Sequence, residues 1–153
     1  MDILLKILAG LAIAGLSSLF TVYLSLAKFR TEKWWEKRAE AYSNLLGVLH
    51  DAKAFSEENL EAQYRDRELT KEEDEAVRLK SKKAESEIYR AMDVGAFYLS
   101  DNAIACLKIY KKESSEASKE NSWVGYLTLD LDAANKCLNS MINIAKTDLQ
   151  IKT

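Results

Sequence analysis

The residues that are able to carry chemistry in this chain are few, and they do not group into a recognisable site. There is one histidine, His50, and there are two cysteines, Cys106 and Cys137. A di-iron site in a helical bundle needs two Glu-x-x-His motifs, but the residue three before His50 is Gly47. A zinc site needs ligands at characteristic spacing, which His50 and the two cysteines lack. We therefore predict no metal and no cofactor.

The two cysteines lie within strongly helical segments, and neither belongs to a Cys-x-x-Cys pair. We predict that Cys106 and Cys137 are free thiols, buried or half-buried, in a protein that occupies a reducing compartment. The alternative is a single disulfide between them.

The four consecutive acidic residues at positions 72–75 are the densest charge cluster in the chain. They lack the glycine and the alternating acids of a calcium-binding loop. Because acids in the first turn complement the helix dipole, we interpret them as a solvated helix N-terminus. No serine lies in a Gly-x-Ser-x-Gly setting, and no glycine-rich phosphate loop is present. The sequence therefore predicts a protein that is not an enzyme.

The longest uncharged segment of the chain runs from Ile7 to Ala27 and contains 21 residues. As a helix it rises about 1.5 Å per residue, which is enough to cross a hydrocarbon layer of about 30 Å. The apolar run of a cleaved signal peptide is shorter, and a buried core helix usually carries charges along one stripe. We predict a stub and an uncleaved transmembrane helix at 1–27, followed by a cytoplasmic domain at 28–153.

Basic residues are concentrated on the C-terminal side of the uncharged run. Lys6 precedes the run, and five basic residues follow it closely: Lys28, Arg30, Lys33, Lys37 and Arg38. By the positive-inside rule the C-terminal side is cytoplasmic, so we expect a single-pass protein of the inner (cytoplasmic) membrane with its N-terminus outside. These five residues and Trp34 form the predicted membrane interface. An inverted protein that faces the periplasm is the alternative.

One face of the predicted transmembrane helix carries small residues. They recur at spacings of four and three, and they are Gly10, Ala14, Ser18, Thr21 and Ser25. Such a face lets two helix backbones approach closely and lets hydroxyl groups hydrogen-bond across the contact. We therefore predict a homo-oligomer that associates through these residues. A pore lined by the three hydroxyl groups is the alternative interpretation of the same face.

A helical pattern of hydrophobic residues continues beyond the uncharged run. The pattern has alternating spacings of four and three and consists of Trp35, Ala39, Tyr42, Leu46 and Leu49. It predicts that the first helix extends into the cytoplasm at least to Phe55, and as far as Leu60 or Tyr64. On this pattern Trp35 is a core residue, whereas Trp34 lies off the buried face at the level of the lipid headgroups.

The rest of the sequence predicts three shorter helices. Thr70 and Glu73 form a capping box that opens the second helix after a turn near 65–69, and this helix reaches about Leu99. The third helix is capped within 100–102 and runs to about 117, where a polar segment marks its end.

Asn121 or Ser122 caps the fourth helix, which carries the clearest heptad pattern and ends near Leu149. The chain has no proline and only five glycines, as expected for long helices with short connections. The predicted fold is all-α: an N-terminal transmembrane helix that continues into an antiparallel four-helix cytoplasmic bundle.

The segment Lys33-Trp34-Trp35-Glu36-Lys37-Arg38, followed by Ala41-Tyr42, is the motif that carries a resemblance. With the flanking layout, it resembles small bacterial single-pass membrane proteins of unassigned function with a helical cytoplasmic domain. The resemblance covers the whole chain in outline and implies no activity.

The expected function is a membrane-anchored helical interaction and oligomerisation module that recruits or senses a cytoplasmic protein partner. The lipid bilayer is its other partner. A membrane-acting effector of the toxin or phage-defence type, which oligomerises and permeabilises the membrane, is the alternative. The formal net charge of −2 carries no basic excess, so we expect no nucleic-acid partner.

Overall fold

The structure is a computed structural model that describes the backbone of residues 2–151 and the side chains of Ser18 and of residues 20–151. Over this range the regular structure is helical throughout, which confirms the predicted all-α class. The four helices are α1 (Asp2–Tyr64), α2 (Lys71–Asp93), α3 (Asp101–Ala117) and α4 (Trp123–Asp148), and a 3₁₀ turn at Gly95–Phe97 follows α2.

The chain divides into two compact units, Met1–Lys37 and Arg38–Thr153. The first unit contains the N-terminal part of α1. The second unit contains residues 38–64 of α1 together with α2, α3 and α4, and these four segments pack as a helical bundle around a shared core. The division falls ten residues beyond Ala27, where the sequence places the end of the membrane segment.

Two helices end in hydrogen-bonded caps that use a left-handed residue. At the end of α1 the backbone of Asp66 has a φ of 50°, and the N–H of Arg67 donates to the carbonyl of Ala62 at 2.9 Å. This is a Schellman arrangement, which satisfies carbonyl groups that the helix would otherwise leave unpaired. Gln150, with a φ of 53°, has the same role after α4. The predicted turn after Tyr64 is therefore confirmed.

The start of α2 is as predicted, but its end is not. The Thr70 hydroxyl accepts from the N–H of Glu73 at 3.2 Å, and the Glu73 carboxylate accepts from the N–H of Thr70 at 2.9 Å, which confirms the capping box. The helix ends at Asp93 rather than near Leu99. The chain tightens there into the 3₁₀ turn, because the buried Leu99 side chain folds back over Gly95, where a Cβ atom would lie only 2.9 Å from it.

Serine residues cap the last two helices, as the sequence predicts. The Ser100 hydroxyl accepts from the N–H of Ala103 at the start of α3, and the Ser122 hydroxyl accepts from the N–H of Gly125 at the start of α4, both at 3.3 Å. Each bond satisfies one of the N–H groups that a helix start leaves without an intrahelical partner. The short connection between α3 and α4 makes them an antiparallel pair.

The hydrophobic core of the bundle lies along residues 42–52 of α1 and the facing sides of the other helices. The largest fully buried hydrophobic side chains of the bundle are Tyr42, Leu49, Leu107, Leu127 and Met141. A smaller cluster forms around Phe55, whose ring meets that of Trp123 edge to face at 6.1 Å. Of the predicted heptad of α4, Leu127, Ala134, Met141 and Ala145 are buried, Leu131 and Leu138 are half-buried, and Val124 at the helix start is exposed.

Within the described residues, none of the helices combines the length and the hydropathy that crossing a membrane requires. The predicted transmembrane run from Ile7 to Ala27 falls largely outside the side chains that the structure describes, since these omit residues 7–17 and Leu19.

Candidate functional site

The first candidate surface is the described part of the N-terminal unit, which exposes large hydrophobic side chains. Six of them are between 50% and 69% exposed: Phe20, Val22, Tyr23, Leu24, Leu26 and Phe29. They lie within ten residues of one helix, so they form one continuous apolar surface rather than scattered single positions. Exposed patches of this kind mark contacts with another protein or with a membrane. We call this group the apolar belt.

The predicted association face lies in the same unit. The side chains of Gly10 and Ala14 are outside the described residues, whereas Ser18, Thr21 and Ser25 are described and exposed. The hydroxyl-bearing half of the predicted face is therefore accessible in the single chain.

The predicted membrane-interface residues follow the apolar belt. Five of them are exposed: Lys28, Arg30, Lys33, Trp34 and Lys37. Lys28 forms an ion pair with Glu32 at 3.7 Å and Lys33 one with Glu36 at 2.6 Å, both along the helix surface. These basic side chains therefore lie at the surface of the helix and pair with neighbouring carboxylates.

The prediction that Trp35 is a core residue is wrong, because its side chain is 52% exposed. Trp34 is 44% exposed, so the two tryptophans do not divide into one buried and one exposed ring. Burial on this face of α1 begins with Ala39, which is half-buried, and Tyr42. The hydrophobic pattern in the sequence begins one position of the pattern earlier, at Trp35.

Arg38, the last of the predicted interface residues, contacts the bundle itself. Its guanidinium lies 3.2 Å from the carboxylate of Asp148 at the end of α4. The hydroxyl of Tyr42 donates to the same carboxylate and accepts from the N–H of Ser100 at 3.2 Å. Burial raises the pKa of Asp148, but the bonds from Tyr42 and Ser100 and the charge of Arg38 outweigh it and lower that pKa below its usual value. These four residues, which we call the Asp148 network, connect α1, α3 and α4.

A second polar network lies deeper in the bundle, around Asp130. The hydroxyl groups of Ser56 and Ser114 each donate to one oxygen of this carboxylate at 2.6 Å. Asp130 and Ser56 are both buried, so the two bonds satisfy groups that have little access to water. This Asp130 network connects α1, α3 and α4, and sequence analysis did not identify it.

A groove of about 370 Å³ lies beside the Asp130 network. Tyrosine rings and acidic side chains form much of its wall, including Tyr89, Tyr110, Tyr126 and Glu85. Burial, and then the negative charge of Asp130, raise the pKa of Tyr110 and Tyr126, so these phenols stay protonated and neutral. The Ser114 and Asp130 side chains in its wall bond to each other, which assigns them a structural role in holding the bundle together.

The two cysteines meet between α3 and α4. Both are free thiols, as predicted, and their Sγ atoms lie 3.5 Å apart. Sequence analysis did not foresee this proximity, although a signal exists. Cys106 lies 15 residues before Asn121 and Cys137 lies 15 residues after Ser122, and residues equidistant from the turn of an antiparallel helix pair lie at the same level.

The remaining chemical candidates lie apart from these features. His50 is exposed on α1. Of the acids at 72–75, Glu72, Glu73 and Asp74 lie in the first turn of α2, as interpreted from the sequence, and Glu75 follows them. Among the described residues, no group of three histidine, cysteine or acidic side chains is arranged to hold a metal ion. No family model, no curated protein and no solved structure matches the chain.

Proposed function

We propose that this protein is a membrane-anchored helical interaction module that oligomerises through its anchor and recruits or senses a cytoplasmic protein partner through its bundle. The observation that carries the proposal is the apolar belt, whose six large side chains are each at least half exposed. Exposing this much apolar surface to water is unfavourable by about 25 cal/mol per Å². A bilayer around the uncharged segment that begins at Ile7 would remove that cost.

The order of side chains along α1 supports a membrane rather than a soluble partner for the apolar belt. The uncharged run and the belt come first, and the exposed basic residues Lys28, Arg30, Lys33 and Lys37 follow directly. Basic side chains at this position contact anionic headgroups on the cytoplasmic side. Trp34 lies within this basic segment, where indole rings favour the interface between membrane and water.

The bundle supports a role in binding rather than in catalysis. Its two buried or half-buried carboxylate networks bind hydroxyl and guanidinium groups of the bundle itself and connect its helices. They therefore contribute to a rigid domain at the membrane surface. Its exposed helix faces are the surface on which a cytoplasmic protein would be recruited.

A charge placed in the apolar belt tests the proposal, with a matched control in the bundle. Leu24 is 50% exposed in the belt, and Leu129 is 48% exposed on α4. We expect the full chain to stay in the membrane pellet after an alkaline wash. Leu24→Asp should favour release roughly 100-fold, because an acid in a membrane helix costs about 3 kcal/mol. Leu129→Asp should remain in the pellet.

Two outcomes would contradict the proposal: recovery of the wild-type chain in the soluble fraction, or equal release of the two variants. The same cells test the effector alternative, which the exposed residues Ser18, Thr21 and Ser25 favour. An effector depolarises the membrane on expression, as a potential-sensitive dye reports. An anchored module leaves the potential unchanged at equal expression.

A further inference from the structure

The pair formed by Cys106 and Cys137 lies at the edge of the main core cluster, and the proposed function does not require its thiol groups. Cys106 lies on α3 and Cys137 on α4, and the Sγ–Sγ distance of 3.5 Å corresponds to a direct contact between the two thiols. A disulfide bond is about 2.05 Å long, so side-chain rotation within a well-packed helix pair brings the sulfurs into bonding range. The thiols are therefore placed to react with each other.

The two thiols differ in their access to solvent. Cys106 is partly exposed, whereas Cys137 is 4% exposed. Both contribute to the wall of an open groove of about 580 Å³ between α3 and α4, together with Ile109, Tyr110 and Lys136. Because Cys106 is the more exposed of the two residues, we expect a small reagent in this groove to reach the sulfur of Cys106 first.

The pKa values of the two thiols also differ, and the difference favours reaction at Cys106. The hydrogen bond from Cys137 lowers the pKa of the Cys106 thiol, and this effect outweighs the opposing effects of burial and of the Glu113 carboxylate. The same hydrogen bond, together with burial, raises the pKa of the Cys137 thiol. Because the thiolate is the reactive form, Cys106 is the better nucleophile of the two.

We propose that Cys106 and Cys137 form a reversible oxidation site for small hydroperoxides, in which Cys106 is the attacking thiol and Cys137 the resolving thiol. This site is independent of the proposed anchoring function. It also fits a reducing compartment, where protein disulfides are transient and sense the redox state.

The reaction takes place in two balanced steps. The Cys106 thiolate attacks the peroxide, so that a sulfur–oxygen bond forms and the oxygen–oxygen bond breaks. The leaving oxygen takes a proton to give water or an alcohol, and Cys106 becomes a sulfenic acid. The Cys137 sulfur then loses its proton and attacks the Cys106 sulfur. The disulfide forms, the sulfur–oxygen bond breaks and water leaves, so that two electrons in total pass from the thiols to the peroxide.

The disulfide would join α3 to α4 by a covalent bond near the middle of both helices. A dithiol reductant would reverse it by thiol–disulfide exchange, which begins with attack on one of the two sulfurs. The bond closes a long loop and restricts the unfolded chain. We therefore expect oxidation to raise the thermal midpoint of the bundle by about 10 to 15 °C.

Treatment of the intact wild-type protein with stoichiometric hydrogen peroxide tests the proposal without any substitution. The expected product has lost two hydrogen atoms, gives a linked Cys106–Cys137 peptide under non-reducing conditions, and returns to the starting mass with dithiothreitol. A product that only gains oxygen atoms, or one whose disulfides join two chains, overturns the proposal.

Variants assign the two roles. In Cys137→Ser the reaction should stop at a sulfenic acid on Cys106, which a cyclic 1,3-diketone captures. Cys106→Ser should react with peroxide at least about tenfold more slowly than wild type. Ser140→Ala, which changes another side chain in the wall of the same groove, should react like wild type. Equal peroxide rates for Cys106→Ser and wild type, with circular dichroism spectra that match, would overturn the assignment.

Discussion

The two parts of α1 differ in how far their hydrophobic side chains are exposed to solvent. Between Phe20 and Trp35 the large hydrophobic residues of the N-terminal unit are 44% to 69% exposed. In the bundle, Tyr42, Leu45 and Leu49 are at most 4% exposed. The residue types are similar in the two parts, so hydrophobicity alone does not decide burial. The helices that pack against residues 38–64 decide it, and in our proposal a bilayer covers the N-terminal part.

The charged residues show the same contrast. Lys33 and Glu36 form an exposed ion pair along one helix surface, and solvent screening makes the contribution of such pairs to stability small. Arg38 instead contacts Asp148 across helices, within a hydrogen-bonded network that includes Tyr42. A basic residue that sequence analysis assigns to the membrane surface therefore helps to join the bundle.

Truncation of one leucine in each part of α1 is the strongest test of this contrast. Leu49→Ala removes a fully buried side chain and should lower the free energy of unfolding by about 3 kcal/mol, since it leaves a cavity in the core. Leu24→Ala should change it by less than about 0.5 kcal/mol, because Leu24 is exposed outside the bundle. Urea unfolding in mild detergent, followed by circular dichroism, measures both values. Equal losses of unfolding free energy in the two variants would show that the apolar belt stabilises the bundle, and would contradict the difference between the two parts of α1.

The elements that sequence analysis predicted well are those whose signals are local. The capping box of Thr70 and Glu73, the caps at Ser100 and Ser122, and the end of α1 at Tyr64 each depend on a few neighbouring residues. These signals are sufficient to place four helices and to predict an all-α bundle. Periodicity also identifies the buried face of α4, because that face is covered along almost its whole length.

The features that were missed depend on contacts between distant positions. Ser56 and Asp130 are 74 residues apart, and no spacing in one helix pairs them. The early end of α2 coincides with the packing of Leu99 against Gly95, and Trp35 is exposed in the N-terminal unit, outside the bundle. The contact between the two cysteines lies between these two cases. It can be predicted from the sequence once α3 and α4 are treated as a helical hairpin with its turn near Asn121 and Ser122.

Two aspartates on α4 extend the contrast between buried and exposed groups. Asp130→Ala should lower the free energy of unfolding by about 2 to 3 kcal/mol, because it leaves the hydroxyls of Ser56 and Ser114 without their acceptor. Asp132 pairs with Lys136 at 2.7 Å on the exposed side of the same helix, so Asp132→Ala should cost less than about 1 kcal/mol. Urea unfolding at neutral pH compares them. A smaller loss for Asp130→Ala than for Asp132→Ala would show that the buried network does not stabilise the bundle.

The smallest expected effect is a change in how the free energy of unfolding depends on pH. It distinguishes the ion pair of Arg38 and Asp148 in the bundle from the exposed pair of Lys33 and Glu36. The pKa of Asp148 is lower in the folded bundle than its usual value of 3.8, so the unfolded chain binds a proton more readily. Its contribution is therefore fully present above the usual pKa and is lost as the pH falls through the lower pKa of the folded state. Asp148→Asn should cost about 1 kcal/mol at pH 7.

The difference between wild type and Asp148→Asn should shrink towards zero as the pH falls from about 5 to about 2. The control is Glu36→Gln. The hydrogen bond from Lys33 also lowers the pKa of Glu36, but this pair is exposed on the N-terminal unit, so its removal should leave the acid dependence of bundle unfolding unchanged. Urea unfolding at a series of pH values measures all three proteins. An Asp148→Asn curve that runs parallel to wild type through this range would place the acid sensitivity in other carboxylates. The contact of Arg38 with α4 would then contribute packing rather than charge to the joining of the helices.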